Sequence, residues 1–258
     1  MNAPRKFQID SLSVEVHASK PELGHAAGAR AAALIRNALE RRGRARLVVG
    51  TGPSQNWTID ALVSAPGLDW SRVELFHMDE YVGLPATHPA SFRRFLKECL
   101  AERVKPGAVH YLKGDAPDAD AECRRYAGLL GQAAIDICLI GFGENGHIAF
   151  NDPHVADFRD PLPVKRVAMD ERCRLQQVGE GHFAGLDAVP PEALTLTCPA
   201  LMAAEHLICS VPDRRKAEAV RAALEGPISE RCPASLVRTH AAAVLYLEPE
   251  SASLLRLG

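Results

Sequence analysis

Short apolar runs alternate with helix-like segments along most of this 258-residue chain, and that alternation constrains the fold more than any other feature. Strands that alternate with helices form a mostly parallel sheet with helices on both faces. We therefore predict a single α/β domain over residues 1–258, built on an open, Rossmann-like sheet. The expected strands are 12–17, 46–50, 73–76, 135–141, 205–211 and 243–247, and the expected helices are 24–42, 54–62, 90–101, 119–133 and 213–225.

Residues 154–189 depart from this pattern, because the segment is charged, contains glycine and shows no clear period. A stretch of that length without regular structure is uncommon inside a compact domain and is often functional. Two interpretations stay open, a lid over a binding site and an ordinary surface excursion.

Charge and cysteine usage exclude several classes of protein. The formal net charge of −2 gives no reason to expect a general nucleic-acid or membrane surface. The seven cysteines are odd in number and lack Cys-x-x-Cys spacing, which argues against a disulfide framework and a zinc site. The first residues lack an apolar signal core, and no run reaches the roughly 18 apolar residues of a membrane span. We expect a cytoplasmic protein, either monomeric or a homo-oligomer.

The loop at residues 141–153 carries the strongest signal for chemistry. It follows an apolar run, and its three glycines allow the backbone to turn sharply where the strand ends. It presents His147 together with Asn145 and Asp152. A histidine beside a carboxylate and an amide can move protons near neutral pH. The alternative is that His147 only caps the loop.

A second loop places Asp79, Glu80 and Tyr81 just after the strand predicted at 73–76. Ligands of open α/β sheets bind beyond the carboxyl ends of the strands. Successive side chains of an extended segment point to opposite faces, so one carboxylate can face a ligand while the other braces the loop. Tyr81 is a further candidate for the pocket wall. A solvated turn with two surface acids is the alternative.

The turn Thr51-Gly52-Pro53-Ser54 is a third signal, because it joins a predicted strand to a predicted helix. The start of a helix offers free N–H groups and the positive end of the dipole, which suit a phosphate group. Thr51, Gly52 and Ser54 are therefore candidate phosphate ligands, and plain capping by Ser54 is the alternative. The turn matches neither the Walker motif nor the dinucleotide-binding motif.

Together with a late Arg215-Lys216-Ala217 motif, these loops resemble the glucosamine-6-phosphate deaminase/isomerase family, whose wider relatives include the 6-phosphogluconolactonases. The segments that carry the resemblance cover nearly the whole chain. They are Thr51-Gly52-Pro53-Ser54, Met78-Asp79-Glu80-Tyr81-Val82-Gly83-Leu84, His88-Pro89-x-Ser91 and Gly143-x-Asn145-Gly146-His147-Ile148-Ala149-Phe150-Asn151-Asp152-Pro153.

The resemblance implies a reaction and a role for each motif. A sugar phosphate would lie across the carboxyl ends of the strands, with its phosphate on the Thr51–Ser54 turn and on Lys216. His147 would assist the opening of the sugar ring, and Asp79 would move a proton between C2 and C1. An amino-sugar 6-phosphate would then become a ketose 6-phosphate and ammonia. The family needs neither a metal nor an organic cofactor.

Two departures from the family pattern bear on this expectation. The glucosamine enzymes usually carry an aspartate where Asn145 stands and a glutamate where Asp152 stands. An Asn-Gly-His version is similar to galactosamine-6-phosphate isomerase-type relatives, so it is compatible with a different amino sugar. The deaminases also bring a lid arginine to the phosphate, and Pro163 falls near that place, with Lys165 and Arg166 as the nearest substitutes.

Three functions therefore stay open at the level of sequence. The first is the isomerisation and deamination of an amino-sugar 6-phosphate, which the two specific loops favour. The second is a 6-phosphogluconolactonase-like hydrolysis, in which His147 would activate water or protonate a leaving oxygen. The third is a non-catalytic sugar-phosphate-binding paralogue, which Asn145 and the missing arginine would explain.

Overall fold

The strands form two sheets of unequal size. The computed structural model describes residues 3–256. Eight strands form the large sheet in the order β1-β2-β11-β10-β7-β3-β4-β6, and the other three form a small sheet in the order β5-β9-β8. The strands are β1 Arg5–Ile9, β2 Leu12–Val16, β3 Ala45–Val49, β4 Val73–His77, β5 Asp79–Tyr81, β6 Ala108–His110, β7 Ile137–Ile140, β8 Val164–Ala168, β9 Glu192–Leu196, β10 His206–Ser210 and β11 Ala243–Leu247.

The helices vary from one turn to more than six turns. They are α1 Lys20–Arg42, α2 Asn56–Val63, α3 Phe92–Leu96, α4 Glu102–Val104, α5 Ala119–Leu130, α6 Glu171–Gly179, α7 Cys198–Met202 and α8 Ala217–Glu225. A π-helical turn, Lys97–Ala101, joins α3 to α4. Short 3-10 helices lie at Pro53–Gln55, Trp70–Arg72, Leu186–Ala188, Arg214–Lys216 and Pro233–Thr239.

Helix α1 shows how local sequence sets the ends of an element. Ser19 caps its start by accepting a hydrogen bond from the Glu22 N–H. Gly43 ends it in the left-handed conformation, at φ 71°, where a side chain would be strained. Arg41 and Arg42 occupy the last turn, where cations favour the negative end of the dipole.

The large sheet is buried on both faces, as its apolar strands predict. All of its neighbouring strands are parallel except the β1–β2 hairpin. On β7, Ile137 and Leu139 belong to a core shared with α1 and α2, whereas Cys138 and Ile140 belong to the core on the opposite face. Helices therefore cover both faces, and the predicted single α/β domain is confirmed.

The small antiparallel sheet was not expected from the sequence. Residues 79–81, predicted as a loop, form β5 and pair with β9. Residues 154–189, predicted to lack regular structure, contain β8 and α6, so that prediction is wrong. Whether the segment acts as a lid stays a prediction. Within residues 3–256, no helix is long and apolar enough to cross a membrane.

Candidate active site

Asp79 and His147, which are far apart in the chain, line the same cavity. Its floor consists of the loops after β3, β4 and β7, because the carboxyl ends of parallel strands meet at one edge of the sheet. The cavity has a volume of about 210 Å³, below the roughly 300–1,000 Å³ of pockets for drug-sized ligands. Its size therefore suits a small metabolite.

Burial makes Asp79 an unusual carboxyl group. It is 7% exposed and directly precedes the buried Glu80. Burial, and to a lesser extent the charge of Glu80, raises the pKa of Asp79 to about 8, although the Thr51 hydroxyl donates a hydrogen bond to it at 3.5 Å. A carboxyl with a pKa near working pH can both take up and release a proton, as general acid–base catalysis requires.

His77 holds the backbone of Asp79 in place. Its Nε2 accepts a hydrogen bond from the Leu112 N–H at 2.9 Å, so the proton of the neutral ring is on Nδ1 and is donated to the Asp79 carbonyl at 2.9 Å. Complete burial lowers the pKa of His77 to about 3, which keeps the ring neutral.

The glycines of the second loop bring the His147 ring to the cavity wall. A Cβ atom at Gly143 would lie 2.2 Å from the His147 ring, so only glycine allows this approach. Gly146 has φ 85°, which turns the chain immediately before the histidine. Ala149, which also lines the cavity, has φ 51°, a conformation that is uncommon outside glycine. Backbone strain of this kind is concentrated at functional sites.

Asp152 and Asn145 support His147 from behind the cavity wall. His147 Nδ1 lies 3.1 Å from Asp152 Oδ1. The Asn145 side chain donates to Asp152 at 2.9 Å and to Asp170 at 3.3 Å, and its oxygen accepts from the His147 N–H at 3.0 Å. The amide therefore bridges two carboxylates. Asp170, which the sequence did not indicate, supplies a second carboxylate near this site.

The Asp152 carboxylate is ionised and already well partnered. Burial alone would raise the pKa of Asp152, but the nearby His147 ring and hydrogen bonds from Asn145 and the Asp170 N–H outweigh it and leave the pKa below the usual value. Ligand atoms of His147, Asp152 and Cys173 lie within 4.8 Å of one another, as in a metal site. Burial raises the pKa of Cys173 well above its usual value, which favours the protonated thiol beside Asp152.

Two predicted binding residues lie behind the wall of the cavity, which corrects their assignment as ligand-binding groups. Glu80 accepts hydrogen bonds from Ser91 and from the Arg93 backbone and guanidinium, so it braces the loop. The Tyr81 hydroxyl donates to Gln177 at 2.5 Å, and its ring packs in the core of the small sheet. Only Asp79 of this trio lines the cavity. Alternation along β5 accounts for Glu80, whose side chain points to the opposite face from that of Asp79.

One end of the cavity is rich in cations, because Lys20 and Arg215 lie beside Asp213, and Lys216 lies beside Glu180. Thr51, Gly52 and Ser54 also line the cavity, and Ser54 lies inside a 3-10 turn rather than at a helix cap. Lys216 also lines it and is only 5% exposed. Lys20 and Arg215 also line this end, and no sequence pattern had indicated Lys20.

The expected replacements for the lid arginine lie elsewhere. Lys165 donates to the Val155 carbonyl and pairs with Asp160, and Arg166 lies near Asp120 and Glu192. The expectation that either one reaches the phosphate position is therefore wrong. Lys20 and Arg215 are the cations that line the cavity beside Lys216.

Helix α6 closes one side of the cavity with polar side chains that sequence reasoning missed. Gln176, Gln177 and Glu180 all line it. Gln176 accepts a hydrogen bond from the Glu144 N–H at 2.9 Å and donates one to Glu180 at 2.9 Å. Gln176 thus connects the loop of His147 to the cationic end of the cavity.

Comparison with known proteins agrees with this geometry. Residues 18–246 match the family described as glucosamine-6-phosphate isomerases/6-phosphogluconolactonase. The chain belongs to this family. It is 35% identical over 236 residues to a glucosamine-6-phosphate deaminase of Arthrobacter sp. (strain FB24), and the match covers 89% of each protein.

Solved structures show the same architecture. A monomeric glucosamine-6-phosphate deaminase superposes with a TM-score of 0.85 at 30% identity, covering 94% of this chain and 99% of that one. The 6-phosphogluconolactonase of Trypanosoma brucei superposes with a TM-score of 0.78 at 17% identity, covering 97% of this chain and 100% of that one. The lactonase likeness shows a shared fold only.

Proposed function

We propose that this protein isomerises and deaminates an amino-sugar 6-phosphate, glucosamine 6-phosphate or an epimer, to a ketose 6-phosphate and ammonia. The observation that carries the proposal is that Asp79 and His147 line one cavity together with Lys216 and the Thr51–Ser54 turn. The family membership and the deaminase relatives support the same reaction.

The reaction begins with the opening of the sugar ring. His147 donates a proton to the ring oxygen as the C1–O5 bond breaks, while the C1 hydroxyl loses its proton and becomes the aldehyde. Asp152 holds the imidazole at Nδ1, and an ionised carboxylate in this position stabilises the charged ring. Asn145 fixes the loop through the His147 N–H.

Asp79 then acts as the base for the proton transfer. It removes the C2 proton to give an enolamine and returns a proton at C1, which leaves an imine at C2. Water adds to that carbon, and ammonia leaves as the ketose forms. Burial both strengthens Asp79 as a base and excludes bulk water, and positioned acid–base groups typically contribute about 10²–10⁴-fold to a rate.

The phosphate provides binding energy that is remote from the reacting carbons. Lys216, with Lys20 and Arg215, gives the cavity end three cations, and the start of α2 lies beside the turn at Thr51–Ser54. Binding energy at a distant group can be used to orient the reacting carbons, so loss of the phosphate should lower turnover as well as affinity.

Ammonia release from glucosamine 6-phosphate and galactosamine 6-phosphate tests the proposal directly. We expect ammonia and the ketose 6-phosphate from at least one of the two sugars and none from the Asp79→Asn variant. Acid production from 6-phosphogluconolactone without ammonia from either sugar would replace the proposal with a hydrolase. Binding of both sugars without turnover of any of the three compounds would identify a sugar-phosphate-binding protein.

A further inference from the structure

The lysine assigned to the phosphate already has an anionic partner inside the protein. Lys216 Nζ lies 3.7 Å from Glu180 Oε1, and the two side chains are only 6% and 8% exposed. A buried ammonium without a partner is costly, so the Glu180 carboxylate compensates the charge of Lys216. A phosphate at Lys216 would come close to the Glu180 carboxylate, and the two anions would repel each other.

Glu180 is held in its ionised form in this position. Burial would raise its pKa, but contacts with His182, Lys216 and Gln176 outweigh burial and lower it below the usual value. Gln176 donates to Oε1 at 2.9 Å, and His182 Nε2 lies 3.6 Å from Oε2. The group that a phosphate must meet at Lys216 is therefore a carboxylate rather than a neutral acid.

The other cations at this end are also paired. Lys20 lies 3.3 Å from Asp213, and Arg215 lies 3.5 Å from Asp213 and 3.7 Å from Glu144. Asp213 is one-third exposed, so solvent weakens its pairs, whereas Glu180 is almost fully buried and its charge is screened least. Glu180 is consequently the carboxylate that most reduces the attraction of this end for an anion.

Glu180 lies at the end of helix α6. It follows the last turn of α6 and lies between Gly179 and Gly181, and Gly181 has φ 81°. The Glu180, Gly181 and His182 N–H groups donate hydrogen bonds to the carbonyls of Gln176, Val178 and Gln177, which fixes the backbone here. Displacement of the carboxylate from Lys216 therefore requires rotation of the Glu180 side chain or the loss of these bonds.

We propose that Glu180 occupies the anion position at Lys216 in the empty protein, so that a phosphate group must displace it and unphosphorylated sugars cannot. This inference rests on the proposed function, because it takes Lys216 as the phosphate ligand. A phosphate dianion offers three strong acceptor oxygens to the ammonium and can replace a carboxylate, whereas a sugar hydroxyl cannot. Glu180 thereby favours phosphorylated over unphosphorylated sugars, and it lowers the affinity for the phosphorylated sugar.

The test is calorimetric titration of the full chain with glucitol 6-phosphate, which has neither an amine nor a carbonyl group and so cannot react. Glu180→Gln keeps the shape of the side chain and removes its charge. We expect it to bind the ligand about 10- to 100-fold more tightly, the range for loss of one unfavourable contact with a charged group. Glu180→Ala should change affinity in the same direction, and binding of unphosphorylated glucitol should not tighten.

Glu171→Gln is the matched control, because Glu171 is an exposed glutamate in the first turn of the same helix. Glu171→Gln makes the same change in net charge at an exposed position, so it should alter the affinity for glucitol 6-phosphate by less than about twofold, since solvent screens the charge. In a Lys216→Ala background, Glu180→Gln should give no gain, because the two side chains act on each other.

The outcomes separate this inference from the function on which it rests. If Lys216→Ala weakens binding while Glu180→Gln and Glu180→Ala leave it unchanged or weaker, Lys216 keeps its role and Glu180 is not a competitor. If Lys216→Ala leaves binding unchanged, the phosphate lies elsewhere and both assignments fail. If Glu171→Gln tightened the binding of glucitol 6-phosphate as much as Glu180→Gln, the tighter binding would come from net charge alone, and the proposal would also be overturned.

Discussion

The neutral His77 ring makes the stability of the protein depend on pH, and the substitution His77→Gln measures the contribution of this one group. His77→Gln retains one donor and one acceptor but cannot reach both Leu112 N–H and the Asp79 carbonyl as the ring does. At pH 8 we expect this variant to be less stable than the wild type by about 1–3 kcal/mol, the cost of a buried polar group left without its partner.

At lower pH, the difference in the free energy of unfolding between the wild type and His77→Gln should become smaller. The pKa of His77 is about 3 in the folded protein and 6.5 in the unfolded chain, so between these values the unfolded chain binds a proton that the folded protein does not. The free energy of unfolding of the wild type therefore falls as pH falls below 6.5, by about 1.36 kcal/mol per pH unit. At pH 5 the wild type should have lost about 2 kcal/mol through this group, and His77→Gln should have lost none of it.

Urea denaturation of both proteins at several pH values between 8 and 5 measures the effect. The difference between the two free energies of unfolding removes the contributions of other titrating groups, including Asp79, whose raised pKa acts in the opposite direction. A difference that stays constant across this pH range would mean that His77 takes up a proton in the folded protein. The account of how Asp79 is held would then be wrong.

Three further predictions concern the chemistry. Burial raises the pKa of Asp79 to about 8 and a base must be deprotonated, so kcat/KM should increase as the pH rises through 8. The Asp79→Asn variant should have no turnover but should still bind glucitol 6-phosphate, and residual isomerisation would exclude Asp79 as the base. Asn145→Asp adds a carboxylate beside Asp152 and Asp170, which should move the limb of the pH–rate profile that reports His147 to higher pH. An unchanged profile would show that residue 145 is not coupled to His147. Lys216→Ala should raise KM for glucosamine 6-phosphate about tenfold or more, and an effect on kcat alone would contradict a role in phosphate binding.

The sequence predicted the parts of the fold and site that depend on local pattern. Apolar runs such as Ile137–Ile140 have few alternatives to a buried parallel strand, and the polar loops that follow such strands meet at one edge. That rule alone brings Asp79 and His147 together, although about 70 residues separate them.

The missed parts depend on packing between distant segments. The three residues of β5 are too few to show a period, and their partner β9 begins more than 100 residues later. Glu180 reaches the cavity only because α6 packs against it, and Asp170 meets Asn145 only because it caps that helix. Such contacts have no signature in the spacing of residues along the chain.

The position of β2 also has a consequence for the synthesis of the protein. This strand is synthesised about 230 residues before β11, with which it pairs in parallel, Val14 opposite Leu245. The β1–β2 hairpin therefore has no place in the large sheet until β11 has been synthesised. A nascent chain that stalls before β11 would expose unpaired edges on both β2 and β10, which are the features that promote aggregation.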